Sequence, residues 1–235
     1  MSLFISFEGG EGTGKTTQSE SLRDRLVESG LRYILVHEPG GTTLGERLRP
    51  LIKGELSMSY GSELFLFSAA RAELVSNVIK PSLKAGITVI SDRYVDSTIA
   101  YQGYGRRLNL EHVRAINALA TQGIMPDLTV LLDMAPEDAL KRLGPLQMGL
   151  SLDRSGTGSG VRLDSEGQRK FEEEEIQFHN RVRQGYLKLA KKEPDRWLVV
   201  DAGHSVEAVA NTIWARVQSM LSKDAAKNSA TGRKG

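Results

Sequence analysis

The stretch Gly9-Gly10-Glu11-Gly12-Thr13-Gly14-Lys15-Thr16-Thr17, directly behind the apolar run Leu3-Phe4-Ile5-Ser6-Phe7, constrains the fold more than any other part of the chain. Leu3 to Phe7 has the look of a short buried strand. Thr16 to Ser29 carries Leu22, Leu26 and Val27 at helical spacing, so the glycines occupy a strand-to-helix turn. Gly9, four further residues and then Gly14-Lys15-Thr16 fit the phosphate-binding pattern G-x-x-x-x-G-K-[ST]. Glycines let successive backbone N–H groups curl around an anion, and the helix behind them points the positive end of its dipole at it. In such a loop Lys15 reaches the β- and γ-phosphates of a nucleotide and the Thr16 hydroxyl holds Mg²⁺.

Four more short, β-branched runs follow: Tyr33 to His37, Ile87 to Ser91, Leu128 to Leu132 and Trp197 to Val200. Each is nearly continuous in apolar character, as strands buried on both faces of a parallel sheet are. Helical segments lie between and around them, at about Thr43 to Lys53, Tyr60 to Lys84, Leu110 to Thr121, Glu137 to Leu143, Phe171 to Lys192 and Val206 to Leu221. The alternation predicts one α/β domain over 1–221, a doubly wound parallel five-stranded sheet of the P-loop NTPase type. Residues 144–170 hold six glycines with Arg154, Arg162, Arg169 and Lys170 and little periodicity, the pattern of a mobile surface loop. The polar, small and basic end, 222–235, reads as a disordered tail.

Composition narrows the function classes. The formal charge of +2 gives no electrostatic case for a nucleic-acid or membrane partner, and the absence of cysteine excludes thiolate chemistry and disulfides. The beginning of the chain has no basic stretch followed by a long apolar one, so a cytoplasmic protein is expected. The four histidines are scattered without ligand spacing, so no metal site made by protein side chains alone is expected.

Which phosphate-loop protein this is depends on the third strand. A GTPase would carry an Asn-Lys-x-Asp motif, which the chain lacks. The third strand instead ends Ser91-Asp92-Arg93-Tyr94, in the crevice at the carboxyl ends of the strands where ligands of such sheets bind. Asp92 there can position hydrated magnesium, while Arg93 supplies positive charge for a second phosphate.

With these features the chain resembles the bacterial thymidylate kinases, from the first strand to about Leu221. The resemblance is carried by Phe7 to Thr17; by Glu38-Pro39-Gly40-Gly41-Thr42 with Leu48-Arg49; by Leu66 to Arg71; by Asp92-Arg93-Tyr94 with Ser97 to Gly103; and by Phe178 to Arg183. It implies transfer of the γ-phosphate of ATP to the 5′-phosphate of dTMP, with Mg²⁺, in a homodimer whose contacts commonly include the helix of Phe67. The alternatives are another nucleoside monophosphate or small-metabolite kinase, and a nucleotide-regulated binding protein.

The resemblance also distributes roles. Gly9, Gly10, Glu11, Gly12, Thr13, Gly14, Lys15, Thr16 and Thr17 cradle ATP, with Arg142 and the region of Asp201 near the adenine, and Thr16 and Asp92 hold the metal, directly or through water. Arg49 and Arg93 clamp the acceptor phosphate, and Glu38 belongs to the stiff turn beside the dTMP site. Phe67 stacks on the thymine while Arg71, one helical turn on, donates to its carbonyl; Phe65 is left in the core. Thr98 and Gln102 complete the polar edge, Tyr101 crowds the sugar 2′ position, and Glu11 accepts from its 3′-hydroxyl. Gly12 has no side chain where some relatives have arginine, so the cation beside the migrating phosphoryl must come from 144–170. Family register points to Lys170; the glycines around Arg154 and Arg162 favour one of those two as catalytic.

Overall fold

The computed structural model describes residues 2–53, 57–143 and 165–231, with the backbone path alone for 165–175 and 223–231. In chain order the elements are β1 (Phe4–Glu8), α1 (Lys15–Glu28), β2 (Tyr33–His37), α2 (Thr43–Lys53), α3 (Tyr60–Leu74), α4 (Lys80–Lys84), β3 (Thr88–Asp92), α5 (Val95–Thr98), α6 (Leu110–Thr121), β4 (Leu128–Asp133), α7 (Pro136–Arg142), α8 (Ser165–Lys192), β5 (Trp197–Asp201) and α9 (Val206–Thr231). The strands form one parallel sheet in the order β2-β3-β1-β4-β5, as the alternation of apolar runs and helices predicts.

β1 lies at the centre and is buried along its whole length, Ser6 and Glu8 on the face of Phe4 included. Ile5 and Phe7 pack with Leu22 and Leu26 of α1 and with Val209, Ile213 and Val217 of α9 on one side. Phe4 faces the other side, against Leu74, Val75 and Ile79. A further cluster gathers Ile99, Val113, Val182, Tyr186 and Trp197 and fastens α8 over the sheet. The sheet thus fixes the height of every strand end. Those ends carry Glu8, His37, Asp92, Asp133 and Asp201, a titratable side chain on each strand, and the site is built from the central three.

Several segments differ from the sequence reading. Residues 95–105, not among the helical segments read from the sequence, form α5 followed by a π-helical turn over Ile99–Gly105. The β-branched and aromatic residues and two glycines there argue against a helix locally, yet burial of Ile99, Ala100 and Gln102 holds it. Gly105 is needed: a Cβ there would stand 2.6 Å from the Phe178 ring. A second π-helical turn, Val75–Ile79, joins α3 to α4 in what the sequence presents as one helix from Tyr60 to Lys84. α8 starts at Ser165, six residues before the expected Phe171, and α9 runs on to Thr231 through a stretch expected to be disordered after Leu221. Ala225, Ala226 and Ala230 favour helix there, and Gly232 is the first breaker. Of the loop expected over 144–170, the part 144–164 lies outside the described residues.

Candidate functional site

The loop between β1 and α1 closes as the glycine pattern requires. Gly14 takes φ 90 immediately before the first turn of α1. Gly12 has φ 73, and a Cβ there would stand 2.1 Å from the carbonyl oxygen of Ala139, so the neighbouring α7 leaves no room for any side chain at this position. Lys15 is buried and folds back over the loop, its Nζ donating to the Gly10 carbonyl at 2.6 Å. Burial, and next the charge of Arg93, pull its ammonium down from 10.5 to about 8, against the pull of Glu11, Asp92 and Glu8. The Thr13 hydroxyl also donates to Gly10, and Thr16 and Thr17 stand exposed on the first turn of α1.

β3 runs beside β1, with Phe7 opposite Asp92, and so delivers its end to this loop. Thr16 Oγ1 donates to Asp92 Oδ2 at 2.6 Å. Arg93 follows with φ 71, a left-handed backbone that a non-glycine residue rarely adopts. Its guanidinium is largely buried and donates to Glu11 Oε1 at 2.7 Å, to the Gly9 carbonyl and Ser97 Oγ at 3.2 Å each, and to the Tyr101 hydroxyl at 3.2 Å. It also lies 5.0 Å from the centre of the Tyr101 ring. Tyr101 in turn donates to Glu11 at 3.3 Å. Glu11 therefore faces β3 and the π-helical turn, away from the mouth of the phosphate loop, the side the resemblance assigns to the acceptor.

The expected base-reading residues are brought together, but in an arrangement the sequence does not reveal. Arg71 is 1% exposed. Its Nε and one terminal nitrogen hold Glu38, the same terminal nitrogen reaches the Tyr94 carbonyl, and the other donates to Thr98 Oγ1 at 2.8 Å and Asn117 Oδ1 at 2.9 Å. All five N–H groups are engaged inside the protein, so the expected donation to a base carbonyl requires Arg71 to exchange one of these bonds. Burial raises the Glu38 carboxyl above its ordinary value despite the opposing Arg71 charge. Gln102 is buried and donates to Glu63. Phe67 is half-buried on α3, while Phe65 is 62% exposed rather than in the core, because two residues along a helix turn the side chain to the opposite side.

Arg49 donates to His37 Nδ1 at 2.9 Å and to the Pro39 carbonyl at 2.6 Å, which places it at the end of β2 beside the Glu38 to Thr42 turn. Arg142 is exposed on the last turn of α7. Arg154 and Arg162 lie outside the described residues, and Arg169 and Lys170 fall on the first turns of α8, where only the backbone is described. A shallow crevice open to solvent lies between Gly9 to Glu11, the end of β4, α7 and α8. On its wall Arg183 grips Asp133 through two bonds of 2.8 Å.

Sequence reasoning passed over Asn117, Ser97, Tyr186 and Glu8. Glu8 carries a signal that could have found it: a glutamate that ends a strand otherwise buried throughout is itself a buried charge.

A family model for thymidylate kinase matches residues 7–213 of the chain. The thymidylate kinase of Dehalococcoides mccartyi strain 195 is 46% identical over 223 residues, covering 94% of this chain and 98% of its own length. That of Synechococcus sp. strain JA-3-3Ab is 45% identical over 219 residues, covering 93% and 97%. Among solved structures, the thymidylate kinase of Ehrlichia chaffeensis superposes with a TM-score of 0.65 at 35% identity, over 85% of this chain and 92% of that one. With a phosphate loop completed by the β3 end and matches over nearly its full length, the chain belongs to the thymidylate kinase family.

Proposed function

We propose that the protein transfers the γ-phosphate of ATP to dTMP, giving ADP and dTDP. The observation that carries this reading is the meeting of two cationic centres at the ends of β1 and β3: Lys15 in the phosphate loop, and Arg93 held across from it by Glu11. Phosphoryl transfer needs little covalent chemistry from a protein; it needs two polyanions held in line and their charge neutralised. Lys15 and the loop N–H groups take the donor phosphates. Arg93 and Arg49 take the acceptor phosphate, and when Arg93 turns to it, Glu11 is released to accept from the sugar 3′-hydroxyl. Thr98, Gln102 and Phe67 border the base, with Arg71 and Glu38 behind them.

Magnesium fits the donor set at Thr16 and Asp92. A hydroxyl and a carboxylate at hydrogen-bond distance are hard oxygen ligands, and such ions are commonly held by one or two protein oxygens, substrate phosphates and water. When bound, the ion neutralises charge on the β- and γ-phosphates. Among the described residues no cluster of three His, Asp or Glu side chains forms a cage.

Gly12 supplies no arginine beside the transferred group, so besides Lys15 a further cation is needed there, and Arg154 or Arg162 is assigned that part. Replacing Arg154, Arg162, Arg169 and Lys170 singly by alanine, with both substrates saturating, identifies it: the catalytic one loses about 10³-fold in kcat. A homodimer is carried over from the family resemblance, and the helix it would involve, α3, bears the exposed Phe65. We place its action in the cytoplasm on the family resemblance alone; no described helix is long and apolar enough to cross a membrane.

The deciding experiment pairs ATP with each nucleoside monophosphate in turn. The expected result is a kcat/KM for dTMP well above that for dUMP, dCMP, dAMP, dGMP and the ribonucleotides. A preference for another monophosphate overturns the substrate, and ATP hydrolysis without transfer to any of them overturns the reaction.

A further inference from the structure

Glu8 is fully buried at the end of β1, immediately before the phosphate loop, and its carboxylate is hydrogen-bonded by three neutral groups. Its Oε1 accepts the Tyr94 backbone N–H at 2.8 Å; its Oε2 accepts the Ser97 hydroxyl at 2.5 Å and the Tyr186 hydroxyl at 2.9 Å. The neighbouring buried carboxylate, Asp96, is held by Arg196 and Thr129. Withdrawing a carboxylate from water without a guanidinium or ammonium against it is costly, and a neutral side chain would fill the space more cheaply.

The bonds of Glu8 converge on Arg93. An ionised carboxylate only accepts, so the hydroxyls of Ser97 and Tyr186, themselves 2.8 Å apart, both turn their protons to Glu8, and Ser97 keeps its lone pairs for other donors. One of them receives the Arg93 guanidinium at 3.2 Å. The same carboxylate binds the N–H that follows Arg93, while the Phe7 carbonyl binds the N–H of Arg93 itself at 3.0 Å. The end of β1 therefore grips the backbone on both sides of a residue held at φ 71.

We infer that Glu8 is a positioning residue for the transfer reaction, aiming Arg93 at the acceptor phosphate through Ser97 and through the Tyr94 N–H. This rests on the reading of Arg93 as the acceptor-phosphate arginine. A glutamine at position 8 keeps the shape but has one acceptor oxygen and one NH₂ where Glu8 has two acceptors, so either the Tyr94 N–H or the Ser97 and Tyr186 hydroxyls lose their acceptor, and one of the two links to Arg93 is cut. An alanine at position 97 cuts the link while leaving Glu8 its other two bonds.

The test is a double-mutant cycle at pH 8 on the full chain. Glu8→Gln and Ser97→Ala are each assayed alone and with Arg93→Ala, reading kcat and the KM for dTMP and for ATP. Each single variant is expected to lose about tenfold or more in kcat/KM for dTMP while the ATP KM stays within about threefold, and the loss should shrink below about twofold when Arg93 is already alanine. An undiminished loss in the Arg93→Ala background overturns the proposal, since Glu8 then supports only the fold. Ser97→Ala keeps the answer available if Glu8→Gln does not fold, and unchanged kinetics in it also overturn the proposal. If Arg93→Ala alone is without effect, the reading of Arg93 has failed and the role of Glu8 falls with it, a result distinct from the other two.

Discussion

Thr16 Oγ1 and Asp92 Oδ2 stand 2.6 Å apart although 76 residues separate them in the chain. One comes from the first turn of α1 and the other from the end of β3, and the parallel pairing of β1 with β3 is what brings them level. Asp92→Asn removes the charge from this oxygen pair while keeping its size. The magnesium concentration for half-maximal turnover should rise by about tenfold or more, as loss of an orienting carboxylate does at other metal sites. A magnesium titration of initial rate checks it; an unchanged midpoint would remove Asp92 from the metal site.

Lys15 offers a second check. Its ammonium is pulled down to about 8 by burial, with Arg93 adding to the effect. Donor phosphates placed against it favour the charged form, so binding of ATP near pH 8 should draw protons from the buffer. Calorimetric titration in two buffers of different ionisation heat measures this uptake. Lys15→Ala should abolish it and nearly abolish transfer, because the lost interaction is strongest with charge developing in the transition state.

Glu8 predicts an unusual slope of stability with pH. Burial first, then Asp96, push its carboxyl up from 4.5 to about 7, against the hydrogen bonds of Ser97 and Tyr186 and the charge of Arg93. Between pH 4.5 and 7 the folded protein holds a proton here that the unfolded chain has lost. Its contribution to stability is fully present below pH 4.5 and disappears as pH rises through 7, a change of roughly 3 kcal/mol. Unfolding midpoints across this range should fall more steeply for the natural protein than for Glu8→Gln. Parallel curves would show that Glu8 titrates normally.

The Arg71–Glu38 pair is buried at both ends, at 1% and 4% side-chain exposure. Arg71→Met alone leaves Glu38 charged and unpaired in the interior and should cost about 3–5 kcal/mol in denaturant unfolding. Adding Glu38→Leu removes that orphaned charge and should recover part of the loss, although Thr98, Asn117 and the Tyr94 carbonyl still lack their donor. A double variant no more stable than the single one would mean that those neutral bonds, rather than the ion pair, dominate.

The strand-to-helix position of the phosphate loop, the parallel sheet, and the grouping of Asp92 and Arg93 at a strand end were all determined by the sequence itself. Each follows from local periodicity and from residue types whose backbone or charge permits few alternatives. The five motifs likewise selected Phe67, Arg71, Thr98 and Gln102 together. What those side chains touch was decided by the tertiary structure. Periodicity fixes which face of an element a residue occupies, whereas its hydrogen-bond partner depends on what packing sets opposite that face, tens of residues away. So Arg71, legible as a cation on a helix beside Phe67, proves to be held on every N–H by Glu38 in the turn after β2, by α5 and α6, and by the Tyr94 carbonyl. Phe65, legible as apolar, proves to face outward, because the inward face of α3 already carries Leu64, Ser68 and Arg71. Glu8, legible only as a letter in a motif, becomes the acceptor for groups 86 to 178 residues distant, because β1 is the central strand and every layer of the molecule converges on its end.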